Sequence, residues 1–170
     1  MSSITSDHIV IPENTKIVSP ELIQMLLDEQ KISLCQITKI DIPDSVIIIQ
    51  KNAFSDCKSL VILSLPDSLK IIDSNAFSEC YSLNELVIPD SVVYIGDNAF
   101  KGCESLKYMS ISLRMVHIGK NAFYNTNMNR IVKYITENLP NNCIFNFVAF
   151  YFVYISNSLN RMKERTTFTF

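Results

Sequence analysis

The residues best suited to chemistry are thiols and imidazoles, and their spacing argues against catalysis. The chain has two histidines and five cysteines among 170 residues. Three of the cysteines, Cys57, Cys80 and Cys103, lie at 23-residue steps. They therefore occupy one position of a repeat and do not converge on one point. No Cys-x-x-Cys, His-Glu-x-x-His, Gly-x-Ser-x-Gly or glycine-rich phosphate motif occurs. We expect no metal site, no cofactor and no enzymatic activity.

The remaining polar residues also favour structural interpretations. His117 takes the place that Tyr94 holds one repeat earlier, so we expect a solvated side chain. We interpret the acidic residues as scattered, without a pair at equivalent repeat positions. The repeated cysteines fit small buried hydrophobic residues, although neighbours in a stack are close enough for a disulfide. An asparagine recurs at Asn52, Asn75, Asn98 and Asn121. Because asparagine side chains often bond nearby backbone in turns, we predict that role here.

Apolar residues follow the same 23-residue period and define the elements that position these groups. One ladder consists of Phe54, Phe77, Phe100 and Phe123, and others include Leu60, Leu83 and Leu106, and Ile49, Ile72, Ile95 and Ile118. The alternation Leu63-x-Leu65 predicts a short strand, which Pro66 ends because proline lacks a backbone N–H. A fixed period predicts a solenoid, in which equivalent side chains stack on one another and form the core.

One complete unit shows the pattern in full. Residues 83–105 read Leu-Asn-Glu-Leu-Val-Ile-Pro-Asp-Ser-Val-Val-Tyr-Ile-Gly-Asp-Asn-Ala-Phe-Lys-Gly-Cys-Glu-Ser. This unit resembles the BspA-type leucine-rich repeat, and the resemblance covers about residues 37–135. It implies a repeat solenoid, mainly β with short convex turns, that serves as a non-catalytic protein–protein interaction module. Relatives of this type are associated with adhesion and host-protein binding.

The two ends of the solenoid need caps. Residues 1–36 predict an amino-terminal cap with a helix at about 20–29, in which Ser19 is the N-cap and Pro20 the first helical residue. A separate partner-binding helix is the alternative. Residues 37–135 then form four to five coils. We interpret residues 136–170, with the aromatic run 143–155, as a carboxyl-terminal cap or tail. The alternatives for this run are a membrane contact and a poorly ordered remnant.

If the solenoid binds a partner, the open face of its strands is the natural site. Alternation directs a mixed set of side chains outward on successive coils: Lys39, Asp41, Ile62, Ser64, Glu85, Val87, Tyr108, Ser110, Ile131 and Lys133. Tyr108 together with Ile62, Val87 and Ile131 could form a protein hot spot. A plain solvated face is the alternative.

The net charge and the first residues of the chain indicate which classes of partner and which cellular compartment to expect. A net charge of −2 gives no electrostatic reason for binding nucleic acid or an anionic membrane. The first residues do not resemble a signal peptide and the chain lacks an Asn-x-Ser/Thr sequon, so we expect a cytoplasmic protein, with the cell surface as the alternative. A protein or peptide is thus the expected partner. The competing functional hypotheses are a fragment of a longer repeat array and a membrane-associated surface protein.

Overall fold

The protein forms a stack of coils, each with two short strands. The computed structural model describes residues 7–110 and 117–127, and for Tyr108 and Ser110 it describes the backbone alone. The elements in chain order are β1 (His8–Val10), β2 (Ile17–Val18), α1 (Pro20–Gln30), a 3₁₀ helix (Leu34–Gln36), β3 (Lys39–Asp41), β4 (Ile48–Ile49), β5 (Ile62–Ser64), β6 (Ile71–Ile72), β7 (Glu85–Val87), β8 (Tyr94–Ile95), β9 (Tyr108–Ser110) and β10 (His117–Ile118).

All strand pairs among the described residues are parallel, and the register repeats the sequence period. On one side of the stack the strands pair in the orders β1-β3-β5 and β7-β9, and on the other side in the order β10-β8-β6-β4-β2. Ile40 pairs with Leu63 and Ile72 with Ile95, a step of 23 residues. The first side is interrupted because β5 and β7 do not pair. At this interruption Leu63 is only half-buried, whereas its equivalents Ile40 and Leu86 are buried.

The core confirms the predicted ladders. The rings of Phe54 and Phe77 are stacked with centroids 5.2 Å apart, and the next two pairs, Phe77 with Phe100 and Phe100 with Phe123, lie at 5.3 and 5.4 Å. All four rings are buried. A period of one coil thus places each ring on its equivalent in the next coil, which is the arrangement a solenoid requires.

The repeated cysteines form a second buried ladder of free thiols. The thiols of Cys80 and Cys103 donate to the carbonyl oxygens of Phe54 and Phe77, each at 3.4 Å. The hydrogen bond with Cys80, together with burial, raises the pKa of the Cys103 thiol well above its ordinary value. These thiols therefore act as small apolar residues with a weak donor. Cys35 is exposed, and Cys143 lies outside the described residues.

The asparagine ladder has a different role from the predicted one. Asn52, Asn75, Asn98 and Asn121 have φ values of 55–61°, in the left-handed region that asparagine tolerates. The backbone N–H groups of Asn52, Asn75 and Asn98 donate to the next coil, as from Asn75 to the carbonyl of Asp97 at 2.9 Å. No side-chain hydrogen bond to nearby backbone forms at these four positions within the described chain. Asparagine is thus needed for its backbone conformation. A second left-handed position recurs four residues later, at Asp56, Glu79, Gly102 and Asn125.

The first coil is enlarged by the predicted helix. β1 and β2 pair with β3 and β4 at a step of 31 residues, and α1 fills the additional length. Ser19 caps α1 by accepting a hydrogen bond from the N–H of Leu22 at 3.2 Å. Within the described residues, no helix has the length and apolarity needed to cross a bilayer. The aromatic run 143–155 lies outside those residues.

Candidate protein-binding face

The outward positions of β1, β3, β5, β7 and β9 form one surface, which we call the strand face. The register brings two columns of side chains together. One column runs through His8, Lys39 and Ile62, and the other through Val10, Asp41 and Ser64. On the far side of the interruption, Glu85 and Val87 follow Ile62 and Ser64 by one 23-residue step and are the equivalent positions of β7. His8 and Val10 were not predicted, because the irregular spacing of the first coil hides their equivalence to Lys39 and Asp41.

The strand face exposes apolar side chains where the sequence predicted a hot spot. Val87 is 67% exposed and Ile62 is 55% exposed, on the two strands that flank the interruption. Val10, at the amino-terminal end of the face, is also 55% exposed. Three such residues on one side of a small domain leave apolar area that a partner could remove from water.

A charged cluster occupies the amino-terminal end of the strand face. A 2.7 Å hydrogen bond joins Nε2 of His8 to a carboxylate oxygen of Asp41, and Nζ of Lys39 lies 3.0 Å from the other oxygen. The hydrogen bond from Lys39, with a smaller contribution from His8, lowers the pKa of Asp41. All three side chains remain partly exposed, so the cluster adds little to stability and fixes the local charge pattern.

The structure places two of the predicted face residues by backbone alone and does not describe two others. Backbone pairing sets Tyr108 and Ser110 of β9 opposite Glu85 and Val87. Ile131 and Lys133 lie outside the described residues. Their place on the strand face therefore stays a prediction.

A row of carboxylates follows one side of the strand face. Each carboxylate is exposed and lies three residues beyond the end of β1, β3, β5 or β7. We call this set the acidic border; it consists of Glu13, Asp44, Asp67 and Asp90. The interpretation of the acidic residues as scattered was therefore wrong. The repeated Pro-Asp-Ser segment carried the signal, since its aspartate recurs with the period. The serine has a structural role: Ser68 and Ser91 donate to carbonyl oxygens of the preceding coil at 2.6 and 2.7 Å.

Potential metal ligands do not cluster within the described residues. No set of three or more potential metal ligands comes together in residues 7–110 and 117–127. His117 is exposed as predicted, but its ring stacks on Tyr94 with centroids 4.6 Å apart. This stack lies on the second sheet, so His117 is not part of the strand face.

Known proteins resemble this chain in sequence and in fold. The family described as BspA type leucine rich repeat region matches residues 28–150, with six copies of its repeat. A leucine-rich repeat protein of T. pallidum has a crystal structure similar to this chain, with a TM-score of 0.52 and 21% identity over 79% of this chain and 71% of that one. A leucine-rich repeat protein of Bacteroides ovatus gives 0.49 and 25%, over 77% and 40% of the two chains. A search of the curated proteins gave no match.

Proposed function

The chain belongs to the BspA-type leucine-rich repeat family, and we propose that it is a non-catalytic module that binds a protein or peptide on its strand face. Leucine-rich repeat families are generally non-enzymatic, and solenoids typically use an extended surface for binding. Family membership therefore supports a binding role in general, and the strand face is the particular surface of this chain proposed for it.

The observation that carries the proposal is the exposure of Ile62 and Val87 on adjacent strands of the strand face. Aliphatic side chains in the middle of an interface strengthen binding because the partner removes them from water, and polar groups around them form the rim of the interface. Here the cluster of His8, Lys39 and Asp41 lies at one end of the face, and the acidic border follows one side. This arrangement favours a partner with an apolar centre and hydrogen-bonding or basic groups at its margin.

Capture by the intact protein, compared across variants, tests the site. The double variant Ile62→Glu/Val87→Glu places two charges in the centre of the strand face. Val93→Glu is a single-charge control, because Val93 is exposed next to β8 on the other side of the stack and receives the same type of substitution. We expect a protein that is retained by the native chain and by Val93→Glu and lost with the double variant. Equal retention by all three chains would exclude the strand face as the binding site.

A further inference from the structure

The strand face and the acidic border together form a surface with an apolar centre and a negatively charged margin. None of the four border carboxylates forms an ion pair within the described parts of the chain. Lys16 and Lys70, on the adjoining coil segments, form no ion pair with them either. On the outward positions of β1, β3, β5 and β7, Lys39 is the one lysine or arginine, and it lies against Asp41. The surface therefore suits an occupant that is apolar and basic.

The chain itself contains a segment of this chemistry outside the described residues. Residues 128–170 hold five of the 15 basic residues and two of the 17 acidic residues, so they carry +3 while residues 1–127 carry −5. Within this part of the chain, the apolar run 151–155 is followed by Arg161, Lys163 and Arg165. Residues at alternate positions of an extended chain project to the same side. Three cations in this pattern can therefore meet one row of carboxylates.

We propose that residues 151–165 bind along the strand face of the same molecule, with their apolar run over Ile62 and Val87 and their basic residues on the acidic border. The segment is long enough to cover the face, since 15 extended residues span about 50 Å. The four strands from β1 to β7 extend over only about 14 Å at the usual strand spacing. The covalent link also gives the segment a high effective concentration at the face. The segment then competes with an external partner, so this regulatory role rests on the proposed function.

Zero-length coupling of lysine to carboxylate with a carbodiimide tests the contact in the intact chain without any partner. We expect peptides that join Lys163 to Asp44, Asp67 or Asp90 in the monomer. Lys163→Arg keeps the charge and removes the reactive amine, so it should eliminate these peptides and verify their assignment. Arg161→Ala/Arg165→Ala keeps the amine and removes two of the three cations. We expect that variant, and separately 1 M salt, to lower the yield by at least about threefold, because salt shortens the range of charge attraction.

Three results would overturn the proposal. The first is coupling of Lys163 to Asp28 or Glu29 on α1, which are also exposed, as often as to the acidic border. The second is a yield that neither salt nor Arg161→Ala/Arg165→Ala reduces. The third is coupling between copies, detected by mixing isotopically labelled and unlabelled chains. Since the assay needs no partner, a negative result leaves the binding function of the strand face to be judged separately by the capture experiment.

Discussion

Replacement of Phe77 measures how much the aromatic ladder stabilises the fold. This ring is fully buried and lies between two others, with centroid distances of 5.2 Å to Phe54 and 5.3 Å to Phe100. Truncation of a core phenylalanine to alanine typically costs about 3–5 kcal/mol, because transfer energy is lost and a cavity remains. Since both neighbouring coils lose a ring contact, we expect Phe77→Ala to lie toward the upper end of that range.

A second variant separates ring stacking from apolar volume. Phe77→Leu keeps much of the side-chain volume and removes both stacked pairs. Each aromatic pair contributes about 0.5–1.5 kcal/mol beyond its buried area, so the loss of two predicts a cost of about 1–3 kcal/mol. Phe77→Leu should therefore be less destabilising than Phe77→Ala.

Urea unfolding followed by circular dichroism gives the free energies of unfolding for the native chain and both variants. The comparison requires similar m-values, since a changed m-value indicates a change in the unfolded state or a loss of cooperativity. A cost below about 1 kcal/mol for Phe77→Ala would refute the reasoning, because a ring that fills the core cannot be removed so cheaply.

Three further predictions concern packing, thiol reactivity and the pH dependence of stability. A β-carbon on Gly96 would lie 2.4 Å from the backbone nitrogen of Ser74, so Gly96→Ala should lower the free energy of unfolding by about 1–3 kcal/mol, and a cost below about 0.5 kcal/mol would contradict the close packing of coils. In the folded chain, iodoacetamide should label exposed Cys35 rapidly and leave Cys80 and Cys103 unlabelled until denaturant is added, as mass spectrometry of the peptides can determine. The pKa of the Cys103 thiol is raised in the folded state, so the unfolded chain loses this proton first. The free energy of unfolding should therefore decrease as the pH rises above the thiol's ordinary pKa of 9.0. Rapid labelling of Cys103 at neutral pH would contradict its burial.

The features predictable from the sequence are those in which one side chain recurs at one position. Phe77 is followed by Phe100 after 23 residues, and only stacking of equivalent positions explains a buried residue that repeats at this step. The cap of α1 was also predictable, because Ser19 followed by Pro20 is a local signal that needs no tertiary information. The outward positions of β3, β5 and β7 followed from alternation within each strand.

The missed features depend on how one coil meets the next. Pairing fails between β5 and β7, although Leu63 and Leu86 are identical residues at equivalent positions, so the pattern contains no sign of the interruption. The left-handed backbone occurs at Asn98, whereas Gly96 is required for close approach to the preceding coil. The acidic border was within reach of the sequence, since Asp67 and Asp90 follow equivalent prolines.

The most direct test is the affinity of the captured partner for the native chain, for Ile62→Glu/Val87→Glu and for Val93→Glu, measured by calorimetry. If Ile62 and Val87 form the centre of the interface, the double variant should lose about 2 kcal/mol of binding free energy or more, a decrease of about 30-fold in affinity. Val93→Glu should bind like the native chain. An unchanged affinity of the double variant, or an equal loss in Val93→Glu, would show that the partner does not bind through the strand face.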